Sequence, residues 1–145
     1  MNTAAAVAVA VTYCWIGMVL AISFLEAPLK FRAPGVTLQI GLGIGRLVFR
    51  ALNATEIVFA AIVIVTLAID RPSAAATAAF VIAIASLAVQ LLAVRPKLTQ
   101  RSDVVLTAIP GQAPIGRSRV HYVYVALEAV KIVGLLIGGI LLLAG

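Results

Sequence analysis

Charge is nearly absent from long stretches of this chain, and that constrains it more than any motif. Met1 to Leu25 carries no acidic or basic side chain. A membrane-spanning helix needs ~20 predominantly apolar residues, so this first stretch is long enough to cross a bilayer. Pro72 to Val94 is a second run of that kind. Ile57 to Ile69 is only 13 residues long, too short for ~30 Å of hydrocarbon at ~1.5 Å per residue. Its helix must begin earlier, near Arg50, and carry Glu56 into the membrane. The last apolar stretch, from about Tyr122 to Gly145, contains Glu128 and Lys131.

The expected fold class is therefore all-α: a single integral membrane domain over 1–145, built as a bundle of four transmembrane helices. Expected helices cover about 4–27, 48–69, 73–94 and 121–144. The stretch after Met1 has no basic region ahead of its apolar segment, so a spanning helix is expected there rather than a cleaved leader.

The chain is 63% apolar and 11% charged, with a formal net charge of +6. Soluble domains are about a quarter charged. The excess of basic residues does not form a solvated face of the kind that binds nucleic acid. Lys30, Arg32, Arg46 and Arg50 fall between helices one and two, and Arg95, Lys97, Arg101, Arg117 and Arg119 between three and four. The other side has only Arg71, offset by Asp70. The positive-inside rule then places loops 28–50 and 95–120 in the cytoplasm and both termini outside the cell membrane. Cys14 is the only cysteine, which excludes an intrachain disulfide; it is expected to be buried as a small hydrophobe.

Within the first long loop, Leu38 to Leu52 is apolar with arginines four apart, the pattern of an interfacial helix leading into helix two. Gly41, Gly43 and Gly45 lack the preceding strand of a nucleotide loop and fit close helix packing instead. Pro110, Gly111 and Pro114 mark Thr99 to Arg119 as a true loop. Pro28 and Pro96 are expected to close helices one and three at equivalent places. Ile44-Gly45-Arg46 precedes Glu56 much as Ile115-Gly116-Arg117 precedes Glu128. These matches are compatible with a parallel internal repeat about an axis along the membrane normal.

The candidate site is an intramembrane polar layer. Counting back from the outer helix ends places Glu56, Gln90, Glu128 and Lys131 in the cytoplasmic third, with Glu26 at the end of helix one. A charge at the bilayer centre costs on the order of 3 kcal/mol or more, so such groups should face inward and pair. Glu128 and Lys131, three apart, share a helical face. His121 and Tyr124 continue that stripe, and Glu56 has Asn53 and Arg50 on the turns before it. The candidates for ligand binding or relay are thus Glu26, Arg50, Asn53, Glu56, Gln90, His121, Glu128 and Lys131. A four-helix di-metal site needs paired Glu-x-x-His motifs; none is present, and neither metal nor cofactor is expected.

Trp15-Ile16-Gly17, with Ser23-Phe24-Leu25-Glu26-Ala27-Pro28-Leu29-Lys30-Phe31, resembles the Trp-Gly and Ala-Pro-x-x-Phe pattern of the transmembrane-protein-205-like family. Arg95-Pro96-Lys97-Leu98 and the stretch Arg117 to His121 are similar to that family's Arg-Pro pair and its Arg-x-x-x-His start of the last helix. The resemblance implies a four-helix membrane protein and no established chemistry. Leu25-Glu26-Ala27-Pro28 also resembles the anthrone-oxygenase-like membrane family, which implies a cofactor-independent oxygenase. Arg50, Asn53 and Glu56 resemble the helix-two residues of the eicosanoid and glutathione membrane enzymes, with a spacing of three where that family has four.

Three functions follow as expectations. The first is a non-enzymatic membrane protein, a homo-oligomer or a subunit of a membrane assembly, whose polar layer pairs internally or binds a small ligand or lipid headgroup. The second is a membrane enzyme on a lipophilic substrate, with Glu26, Glu56, Glu128 and His121 as acid–base groups. The third is a proton-coupled carrier for a small cation, with Glu56 or Glu128 as the membrane carboxylate.

Overall fold

A computed structural model describes residues 1–108 and 119–145. Among these the protein is all-α, with four long helices and no strand: α1 (Thr3–Arg32), α2 (Leu38–Ile69), α3 (Ala74–Thr107) and α4 (Arg119–Ala144). Pro110, Gly111, Pro114 and the Ile115-Gly116-Arg117 stretch lie outside the described residues. Each helix is long and apolar enough to cross a membrane.

Three helix starts are capped by short polar side chains, which accept from backbone N–H groups that have no partner in the first turn. Asn2 accepts from Ala5 at 2.8 Å, Thr37 from Ile40 at 3.1 Å and Ser73 from Ala76 at 3.2 Å. The helix ends at the chain termini and at the Asp70–Ser73 turn fall within a residue of the expected bounds. The other ends do not. α2 starts at Leu38 rather than 48, because Thr37 caps it and no breaker follows; the expected interfacial helix is simply its first turns. α1 and α3 run past their prolines to Arg32 and Thr107.

Proline lacks an N–H and clashes with the carbonyl four residues back, so Pro28 and Pro96 were expected to end their helices. Each is instead preceded by a π-helical segment, Leu20–Glu26 and Gln90–Val94. Ala27 donates to the Ile22 carbonyl and Arg95 to the Gln90 carbonyl, each five residues back. The wider turn takes up the mismatch and the helix continues. Between α1 and α2 only a short connection is left, turning at Gly35 with φ of 79°, which an L side chain rarely adopts.

α3 packs most extensively on α4, while α1 lies against both α2 and α4. α2 and α3 meet mainly at the end away from the termini, where Arg46 and Asp103 pair at 2.6 Å. Elsewhere that seam opens into an apolar cleft of about 280 Å³ between residues such as Ile57, Ala61, Ile84 and Leu91. The core takes residues from every helix: Trp15, Ile16 and Val19; Leu52 and Val63; Phe80, Ala83 and Leu87; Leu135. The outward faces carry Ile57, Val58, Ile64, Val81, Ile82, Leu92, Val133 and Ile140, an apolar exterior suited to lipid. Cys14 lies on that exterior, contrary to expectation. Ala8, Thr12, Trp15, Ile16 and Val19 occupy the inward stripe of α1, and position 14 lies about 100° around the helix from Trp15.

Small residues set the α3–α4 distance. A Cβ at Gly134 would stand 2.9 Å from the Ala79 carbonyl oxygen, and one at Gly138 would stand 2.8 Å from the Phe80 ring. Gly134→Val should therefore destabilise the detergent-solubilised protein by about 1–3 kcal/mol, the usual cost of overpacking. Gly17→Ala meets nothing within 4 Å and should leave the unfolding midpoint unchanged or raise it. Equal midpoints for the two variants would show that the helices do not pack this closely.

Candidate functional site

A lysine ammonium is strongly hydrated, and moving it into an apolar interior is costly unless acceptors surround it. Lys131 is fully buried, and three side-chain acceptors meet it. Its Nζ pairs with Glu56 Oε1, lies 2.6 Å from Glu128 Oε1 and donates to Gln90 Oε1 at 2.9 Å. Glu56, Gln90 and Glu128 are each 1% exposed.

The amide of Gln90 serves both signs of charge. Its carbonyl accepts from Lys131, while its Nε2 donates to Glu128 Oε2 at 3.2 Å and to the Tyr124 carbonyl at 3.3 Å. A carboxylate in this position could not donate, and a lysine could not accept. Trp15, fully buried, donates from its indole N–H to Glu56 Oε1 at 3.0 Å. One bonded network therefore takes a group from every helix: Trp15 from α1, Glu56 from α2, Gln90 from α3, and Glu128 and Lys131 from α4. The Glu56–Lys131 pair crosses between α2 and α4, which otherwise have little contact.

The network lies near the helix midpoints. Trp15, Glu56, Gln90 and Lys131 stand roughly 18–24 Å from the helix ends at the terminal end of the bundle, at ~1.5 Å per residue. The sequence reading places the layer in the last third of the bundle; it stands near the middle because α1, α2 and α3 extend beyond their expected bounds at that end.

Of the expected site residues, the structure brings Glu56, Gln90, Glu128 and Lys131 together. Glu26 is elsewhere: it faces Lys30, one turn on, at 3.5 Å. Arg50 is exposed, and Asn53, partly buried, makes no bond to the network. His121 is partly buried near the start of α4, its ring centroid 6.0 Å from that of Tyr122. Trp15 was missed as a site residue. The usable signal was a lone tryptophan mid-helix, whose indole N–H requires an acceptor when buried.

At the end away from the termini a second polar group surrounds Phe49. Arg95 lies 5.0 Å from the Phe49 ring centroid and 5.7 Å from that of Tyr124, and the two rings meet edge to face at 6.1 Å. Lys30 Nζ lies 5.7 Å from Phe49 and 5.4 Å from Phe31. Gly41 and Gly45 leave the room: a Cβ at Gly41 would run into the Phe31 ring, and one at Gly45 would fall 2.9 Å from Lys30 Nζ. The close-packing role expected of these glycines holds for Gly41 and Gly45, while Gly43 has nothing within 4 Å.

No family model, curated protein or solved structure matches the chain. Nothing in these comparisons identifies a family.

The network makes an asymmetric prediction. Lys131→Met leaves two buried carboxylates without their cation and should cost about 3–5 kcal/mol of stability, as for a buried pair broken from one side. Glu128→Gln leaves one carboxylate for one ammonium and should cost clearly less. Trp15→Phe removes one hydrogen bond to a charged acceptor and should cost about 1.5–3 kcal/mol. Unfolding of the three variants in the same detergent ranks them; a Lys131→Met variant as stable as wild type would refute the pairing.

Proposed function

We propose that this is a non-enzymatic, multi-pass protein of the cell membrane, acting as a homo-oligomer or as a subunit of a membrane assembly. In this reading the central network is an internal clamp. The observation that carries it is the closure of that network: five side chains from four helices bond to one another at 1% exposure or less. In apolar surroundings such bonds fix helix register, because any slip would leave a charge unpaired. An outward groove of about 480 Å³ between α3 and α4, lined by small residues such as Ala75, Ala78 and Ala129, supports close approach by another helix.

Orientation follows from charge. Lys30, Arg32, Arg46, Arg50, Arg95, Lys97 and Arg101 lie towards one end, against Arg71 with Asp70 at the other. The basic end is then cytoplasmic and the termini are outside. The enzyme reading is less well supported, since Glu26 is paired away from Glu56 and Glu128, and His121 stands two helical turns from Glu128.

One observation favours a second reading. The network has two carboxylates to one ammonium, and Glu56 Oε2 is buried with no hydrogen-bond partner. A proton-coupled carrier would use that surplus negative charge. Reconstitution in liposomes with an imposed pH gradient separates the readings. The clamp predicts no gradient-driven flux and a single oligomer by native mass spectrometry from mild detergent. Flux in the wild-type protein that disappears in Glu56→Gln would overturn the clamp reading and establish the carrier.

A further inference from the structure

The group around Phe49 is distinct from the central network, and its donors are poorly used. Arg95 carries five N–H donors in a planar fork and Lys30 carries three. Among the described residues Arg95 has no carboxylate partner, and Lys30 has only Glu26, at 3.5 Å. Yet both cations are held in place. The Lys30 side chain is 9% exposed, seated in the space that Gly45 leaves open, and Arg95 is packed over two aromatic rings. Two cations over one phenylalanine repel each other, and Glu26 offsets only one of them. A concentration of fixed, partly desolvated positive charge of this kind favours an anion.

Depth indicates which anion. Phe49, Arg95 and Tyr124 stand about 30–32 Å along their helices from the terminal end, at ~1.5 Å per residue. That is one hydrocarbon thickness. Three helices thus bring this group to the headgroup level of the opposite leaflet, where phosphate is the abundant anion. The Lys30 side chain, on the last turn of α1, leans back towards this level because helical side chains tilt towards the N-terminus. Arginine pairs with phosphate through two parallel N–H bonds, and lysine adds a point charge.

We infer that Lys30 and Arg95, held over Phe49, bind the phosphate of an anionic lipid headgroup at the basic end of the bundle. The inference rests on the membrane reading of the fold but not on the role of the central network. It is tested with the full-length protein, after resistance to alkaline extraction has shown insertion, so that failure to insert is read separately from failure to bind lipid. Native mass spectrometry from micelles doped with phosphatidylglycerol or with phosphatidylcholine reports the bound lipid. Wild-type protein should retain phosphatidylglycerol in preference to phosphatidylcholine. Arg95→Gln and Lys30→Gln should each lower that retention about fivefold, the effect of one basic residue at a membrane surface. Arg71→Gln, at the other end, should not change it. Arg95→Lys, which keeps the charge and tolerates loss of the fork, should fall between wild type and Arg95→Gln. Retention unchanged in Arg95→Gln and Lys30→Gln overturns the inference. Inorganic phosphate that binds alone and displaces the lipid at equal concentration also overturns it, because the site would then take a free anion.

Discussion

The structure depends on one buried ammonium. Lys131 is fully enclosed, and an isolated charge there would not be tolerated in hydrocarbon. Its neighbours are correspondingly constrained: Glu56 must come from α2, Gln90 from α3, and Glu128 from the preceding turn of its own helix. Trp15 then completes the shell by donating to Glu56. Since Glu56, Gln90 and Trp15 come from the three other helices, the electrostatic requirement of one side chain becomes a constraint on the register of all four. Apolar packing contributes through close van der Waals contact only, because lipid tails are as apolar as leucine and leave no hydrophobic drive for helices to associate.

The second organising feature is the pair of π-helical segments. Each precedes a proline and lets its helix continue by about two to four further turns. In α3 the segment begins at Gln90, the residue that bridges Lys131 and Glu128, and ends beside Arg95, which packs on Phe49 and Tyr124. The same local distortion therefore lies between the two polar groups of the molecule. In α1 the segment ends at Glu26, two residues before Pro28, and the following turn carries Lys30 to the Phe49 group. Wide turns of this kind are frequent at functional sites, and here they connect the buried network with the basic end.

The division between the two groups follows from the chemistry of their surroundings. At the centre every charged side chain is buried and has a protein partner. Around Phe49, Lys30 and Arg95 are held by aromatic faces and cut-away glycines, and Glu26, 3.5 Å from Lys30, is the one carboxylate paired with either among the described residues. That leaves their N–H donors available at headgroup depth.

The number of helices, their apolar exteriors, the ends nearest the chain termini and the inward pairing of Glu128 with Lys131 are legible in the order of the amino acids. Those features depend on composition and on separations within one helix, and both can be read along a chain. The tertiary structure alone decided that Glu56 crosses to Lys131, that Gln90 bridges it to Glu128, and that Trp15 rather than Glu26 is the contribution of α1. Those choices depend on the relative rotation of neighbouring helices, which no spacing encodes. The helix ends near Pro28 and Pro96 were likewise beyond reach, because a proline marks a mismatch without saying whether the chain breaks or widens there. Cys14 shows the same limit at the scale of a single residue: its position beside Trp15 is plain in the sequence, but which of the two faces inward was settled by the acceptor on Glu56.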